Sequence, residues 1–288
     1  MSVASIAENQ SALQQSLAQH GIAILPPCDV MQAIAMFKAA GLHAQCTILD
    51  PWYNKGIGGT RDDYHTFVIE MMRAAAEISD HVFFWGFPEI VARFVEKIPA
   101  PLELIAWLTW YYKNSPSVIR GWRSSQNACL HLAQPGAKLH PEHFLNAAQK
   151  EKQKEGKLRY MPGPTSVIEE PLLCGFVGKD EQTGHPAQKP VAVFQRIIMM
   201  TTVAGDLVFD PMCGSGTTAE AALAIGCKAV ISDESEEFTE LAESRLGTPR
   251  ITRLGEHKSK AKGYHRLQTT RKVPTCHLEE EMSLPFQD

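Results

Sequence analysis

The sequence predicts an α/β fold built on a largely parallel sheet with helices on both faces. Three observations carry this. Short apolar runs alternate with amphipathic helical segments through most of the 288 residues, the order that parallel pairing requires. Two of those runs, 46–49 and 206–209, end at an acidic residue, Asp50 or Asp210, and open into a turn. The second turn holds Gly214 and Gly216 and leads into the Ala-rich stretch 219–225, the strand-turn-helix arrangement found where nucleotide-like ligands bind.

The elements follow in order. Residues 5–17 read as a short amphipathic helix, 21–25 as a strand and, after Pro26 and Pro27, 30–40 as a helix. A strand over 46–49 is followed by a Gly-rich loop at 55–61 and a helix over 63–78. Residues 81–85 are aromatic and β-branched and therefore predict a strand. Residues 89–96 predict a helix, 102–112 a long aromatic strand and 128–132 another short strand. Between 114 and 170 periodicity fades and Pro, Ser, Gln and Lys dominate, with only 150–157 helix-like. The pattern then resumes: helix 190–200, strand 206–209, helix 217–225, strand 229–231 and amphipathic helix 235–246. Beyond Thr248 little regular structure is expected, and no internal repeat is present.

Length and composition allow one domain with a sizeable core plus a smaller lobe. No run of 18 apolar residues occurs, so no membrane span is expected, and residues 1–20 lack the basic start and apolar stretch of a secretory signal. Seven cysteines without a CxxC pair fit a reducing, cytoplasmic setting better than a disulfide framework or a zinc site. The net charge of −4 conceals two basic zones. Residues 113–160 carry nine Lys/Arg against three Glu, and residues 248–275 carry eight against one. Basic zones on an acidic body point to a polyanionic partner.

Two motifs carry chemistry. In the turn Asp210-Pro211-Met212-Cys213-Gly214-Ser215-Gly216-Thr217-Thr218, the glycines let backbone turn tightly and approach a ligand. Asp233, 23 residues after Asp210, ends the next strand, a spacing suited to gripping ribose hydroxyls. No Lys follows Gly216, so this is not a phosphate loop. A carboxylate at the strand end repels a pyrophosphate and welcomes the sulfonium and amino group of S-adenosylmethionine. The earlier motif, Asp50-Pro51-Trp52-Tyr53, offers a carboxylate, a backbone carbonyl and two aromatic faces. Fixed acceptors can hold both N–H groups of a nucleobase amine and free its delocalised lone pair without a His base. Tyr53 and Trp52 offer rings on which such a base could stack.

Together these residues resemble the amino-methyltransferases of DNA, whose catalytic signature is [D/N/S]-P-P-[Y/F/W]. Residues 50–53 match it at three of four positions, with Trp52 in place of the second proline. The segment His185-Pro186-Ala187-Gln188-Lys189-Pro190 is similar to the stretch that borders the methionine end of the cofactor in that family. Catalytic motif first, cofactor motif last is the order of its beta subgroup.

The resemblance, over about residues 20–247, implies a Rossmann-like S-adenosylmethionine methyltransferase fold with a mostly parallel seven-stranded sheet and a small irregular recognition lobe. Residues 1–113 and 171–247 would form the two halves of the catalytic domain, 114–170 the target-recognition region and 248–288 a basic, disordered tail. Asp50, His185, Gln188, Lys189, Asp210, residues 212–218 and Asp233 fall at cofactor positions. Asp29 falls where many members place an acidic residue near the adenine. Arg120, Arg123, Gln126, Asn127, Lys138, His140 and His143 are candidates for phosphate or base contacts, and no metal site is expected at the two histidines. The implied partner is double-stranded DNA, and homodimers are common in the subgroup. Asp first and Tyr fourth favour transfer to adenine N6 in a specific sequence, with base flipping. The alternatives are cytosine N4, adenine in RNA, or an inactive nucleic-acid-binding module.

Overall fold

A computed structural model describes residues 3–54, 59–116, 118–119 and 121–251. Part of the 55–61 loop, Arg120, and the tail from residue 252 onward lie outside the described residues. Ten strands are present among the described residues. They are β1 Ile22–Ile24, β2 Ala44–Leu49, β3 Ser79–Gly86, β4 Glu103–Tyr111, β5 Val118–Ile119, β6 Trp122–Arg123, β7 Gln126–Ala133, β8 Val167–Glu169, β9 Leu207–Asp210 and β10 Lys228–Ile231. The α-helices are α1 Val3–His20, α2 Val30–Ala39, α3 Tyr64–Ala76, α4 Pro88–Val91, α5 Ala147–Lys154, α6 Val191–Thr201, α7 Thr217–Ala224 and α8 Glu236–Leu246.

Eight strands form one sheet in the order β1-β10-β9-β2-β3-β7-β4-β8, and β5 pairs only with β6. Only β7 runs against the rest, antiparallel to both β3 and β4. Every other neighbouring pair in the sheet is parallel. The expected seven strands become eight because β8 joins the outer edge. Its three residues bury a single side chain, Ile168, too short a pattern to stand out in a Pro- and Ser-rich stretch. The expected helix at 89–96 divides into α4 and a 3₁₀ segment, Ala92–Lys97.

Side chains alternate across the sheet as a period of two requires. Val82 and Phe84 join a core under α1, α2 and α3, whereas Phe83 and Trp85 join one under α6 and α7. Phe37 of α2 stacks on Phe209 of β9 with ring centroids 4.3 Å apart. Each such side chain, fully buried, is worth about 1.5–3 kcal/mol. Past α8, Arg250 bridges Ile24 and the Ile251 amide donates to the Ile24 carbonyl at 2.9 Å. The regular fold therefore extends slightly beyond Thr248. No helix among the described residues is long and apolar enough to cross a membrane.

Candidate active site

Parallel strands deliver their carboxyl ends to one edge of the sheet. Here β10, β9 and β2 are consecutive neighbours, and each ends at or just before an aspartate: Asp233, Asp210 and Asp50. Beyond them β3 leads to Phe87, β7 begins near Asn127 and β4 leads to Tyr112. The edge thus passes from acidic to aromatic along the sheet.

At the glycine turn, Asp210 Oδ1 accepts the Met212 amide at 3.0 Å and Oδ2 accepts the Thr218 hydroxyl at 2.5 Å. Burial pushes this carboxyl up to about 7; Thr218 and Met212 oppose the rise, and Asp50 and Asp233 add to it. Asp233 accepts the Gly214 amide and the Ser235 amide, each at 2.9 Å, and burial raises its carboxyl also. Each carboxylate oxygen has a second lone pair, so Asp233 can still receive ribose hydroxyls. Gly214 has φ +50°, and a Cβ there would lie 2.8 Å from His185 Nε2. The His185 ring packs edge-on against Phe238, and burial pushes it down to about 4, leaving it neutral at pH 7. Asp29 caps α2 by accepting the Gln32 amide at 3.0 Å, and the adjacent Cys28 amide donates to the Asp233 carbonyl at 3.1 Å. That places the Asp29 turn beside the Asp233 turn.

Not every residue of the motif faces a ligand. Ser215 and Thr217 hydroxyls receive Arg245 of α8 at 3.2 and 2.9 Å, fixing α8 against the turn. Cys213 is buried and Met212 packs against the core. Gln188 spends its amide inside its own loop: its oxygen accepts the Thr183 amide and hydroxyl, and its nitrogen donates to the Glu181 carbonyl.

At the amine site, Asp50 Oδ2 forms an ion pair with Lys189. Lys189 is 3% exposed and sits over the Trp85 ring. Burial works to lower its ammonium, but the charge and hydrogen bond of Asp50 outweigh this and hold it above its ordinary range. The loop 170–189 crosses the carboxyl edge to make this contact. Trp52 turns away from Asp50: its ring packs against Tyr64 and Phe67 of α3, and its N–H donates to the Gly59 carbonyl at 3.2 Å. Tyr64 returns a hydrogen bond to the Trp52 carbonyl at 2.8 Å. The indole therefore anchors the motif to α3. Tyr53 packs on Phe87 at 4.2 Å; burial raises the Tyr53 and Tyr112 hydroxyls, and Asn127 beside them opposes the rise. Asn127 Oδ1 is buried without a partner.

The candidate nucleic-acid residues separate. Asn127 lines the amine site, and the Gln126 carbonyl accepts the Tyr112 hydroxyl at 3.0 Å. Arg123 binds backbone carbonyls of Lys113 and Ser115. Lys138 and His140 lie at the opposite edge, so the residues of 114–170 are divided between the two edges of the sheet. The reason is the reversed strand: β7 carries the chain to the amino edge, where the Lys138 carbonyl meets His81 and the His140 amide meets Met200. His140, Glu142 and His143 gather there within 4.8 Å, with His140 Nδ1 bonded to Glu142 and His143 Nδ1 donating to the Met199 carbonyl. Sequence reasoning assigned Lys189 to the cofactor and Asn127 to DNA, and passed over Phe87 and Tyr112. These pairings arise from register between strands distant in sequence, so no local pattern signals them.

The family model described as DNA methylase, N6_N4_Mtase, matches residues 44–244. The chain is 27% identical over 218 residues to the type II methyltransferase M.HpaI of Haemophilus parainfluenzae, covering 69% of this chain and 67% of that protein. Over 67 residues it is 40% identical to the DNA adenine methyltransferase YhdJ of Escherichia coli strain K12, a match covering 23% of each. Among solved structures, M1.HpyAVI in complex with SAM superposes with a TM-score of 0.58 at 21% identity, over 78% of this chain and 98% of that one. The PvuII cytosine-N4-specific DNA methyltransferase superposes with a TM-score of 0.52 at 14% identity, over 78% and 88%. These two likenesses concern the fold alone.

Proposed function

The chain belongs to the DNA methylase family that its residues 44–244 match, and from that premise we propose that it methylates the N6 amino group of adenine at a specific sequence in duplex DNA. The donor is S-adenosylmethionine, whose sulfonium supplies an electrophilic methyl group. The residues present fit that donor. Asp210 and Asp233 are buried carboxyls raised by their surroundings, a setting that a cation relieves. Gly214 leaves open the approach that a Cβ would fill against His185.

The carrying observation is Asp50-Pro51 at the end of β2, next to β9 and its glycine turn. Asp50 Oδ1 and the Pro51 carbonyl would accept the two N–H groups of the target amine, while Lys189 keeps hold of Oδ2. Held this way, the nitrogen lone pair is freed to attack in line with the donor, and Asp50 is placed to take the proton that the product nitrogen sheds. Tyr53, stiffened by Phe87, offers the ring against which the base lies. Adenine is favoured by Asp at the first motif position with Tyr at the fourth, and by the local identity to YhdJ.

Incubation with labelled S-adenosylmethionine and plasmid DNA, followed by nucleoside mass spectrometry, tests this. N6-methyladenine is the expected product. N4-methylcytosine would keep the chemistry and overturn the choice of base, and an unmodified plasmid would overturn both.

A further inference from the structure

Between Tyr112 and Gln126, two residues already placed around the amine site, the chain leaves the sheet and returns. In that excursion β5 and β6 form a hairpin with Val118 opposite Arg123 and Ile119 opposite Trp122. Gly121, at φ +82°, turns it. Among the described residues, the Arg123 side chain ties the hairpin to its root. Arg123 donates through Nε to the Ser115 carbonyl at 3.1 Å and through Nη2 to the Lys113 and Ser115 carbonyls, both at 2.8 Å. Successive residues of a strand point to opposite faces. With Arg123 held on these carbonyls, its neighbour Trp122 points to the other face, where it is 82% exposed.

Val118 on the same hairpin is 60% exposed, so the ring is part of an apolar surface of the kind that partners cover. The sequence bears on the partner's charge: from Lys113 to Gln126 the chain has Lys113, Arg120 and Arg123 and no Asp or Glu, with Lys113 ion-paired to Glu169 of β8. The position names its task. The hairpin stands at the carboxyl edge, rooted directly after Tyr112, so a duplex presenting a base to Asp50 meets it. An extruded base leaves a gap in the stack, and an inserted ring restores some of the lost contact.

We propose that Trp122 enters the base stack of duplex DNA and occupies the space left by the flipped base. This rests on the reading of the chain as a methyltransferase of duplex DNA. The test uses the full-length protein and one plasmid, native or heat-denatured, since denatured strands need no base extruded. Trp122→Ala is expected to lower methyl incorporation into native plasmid at least tenfold and into denatured plasmid less than twofold, with Trp122→Phe restoring most of the loss. Native plasmid should also quench indole emission in the wild type, and Trp122→Phe should lack that component. Unchanged transfer to native plasmid, equal loss on both substrates, or undiminished quenching in Trp122→Phe would overturn the proposal. A dimer that Trp122→Ala converts to monomer would assign the ring to a second copy of the chain instead. No transfer by the wild type to either plasmid would overturn the parent reading, and this one with it.

Discussion

Lys189 and Asp50 show how stability and activity separate at one pair of residues. Replacing Asp50 by Ala leaves a buried ammonium unpaired, a change that costs about 3–5 kcal/mol in a fully buried pair and less here because Asp50 is partly open to solvent. The double variant Asp50→Ala/Lys189→Met removes both charges. It is expected to recover most of the lost stability in denaturant unfolding while methyl transfer stays absent and S-adenosylmethionine binding persists; turnover in either variant would remove Asp50 from the amine site. Asp210 gives a pH dependence. Its carboxyl is raised to about 7, so the stability due to its protonated form is lost as pH rises through 7. The cationic donor favours the carboxylate, so its affinity should rise about tenfold between pH 6 and 8 and be flat in Asp210→Asn; calorimetry across that range decides. Asp50, Asp210 and Asp233 were legible because each ends an apolar run. The Lys189 contact was not, since it joins positions 139 residues apart.

Elements with enough residues to show a period were legible in the sequence, including β2, β9, α6 and α8. The strands β5, β6 and β8, two or three residues each, were not. The glycine turn was legible as a motif, yet its tightness comes from packing. Gly216, at φ +77°, starts α7, and a Cβ there would lie 3.1 Å from the Ala242 Cβ and 3.2 Å from the Leu246 Cδ1 of α8. Gly247 has a similar φ, +61°, but open space around it. Gly247→Ala should therefore cost about 1 kcal/mol from backbone strain alone, and Gly216→Ala about 2–3 kcal/mol once crowding of α8 is added. Equal losses in chemical denaturation would show that α8 yields freely.

At the scale of the whole molecule, the sequence located both basic zones but could not say which side of the sheet each part of 113–160 would reach. Charge along a chain carries no information about strand direction. The reversal of β7 divides that zone: the hairpin stays at the carboxyl edge, while 134–157 lies at the amino edge. That reversal separates tolerance from function for anyone who wishes to build on this scaffold. Gly136 occupies an open turn at the amino edge, at φ +82° with nothing within 4 Å of where a Cβ would sit. A fluorescent protein spliced there would ride on the edge opposite Asp50 and the glycine turn. Methyl transfer to plasmid should remain within about twofold of the parent, whereas the same cargo spliced at Gly121, on the substrate side, should abolish it. If both fusions lost activity alike, the two edges would not be independent. If they differ as expected, the enzyme can carry a passenger domain to each site it modifies.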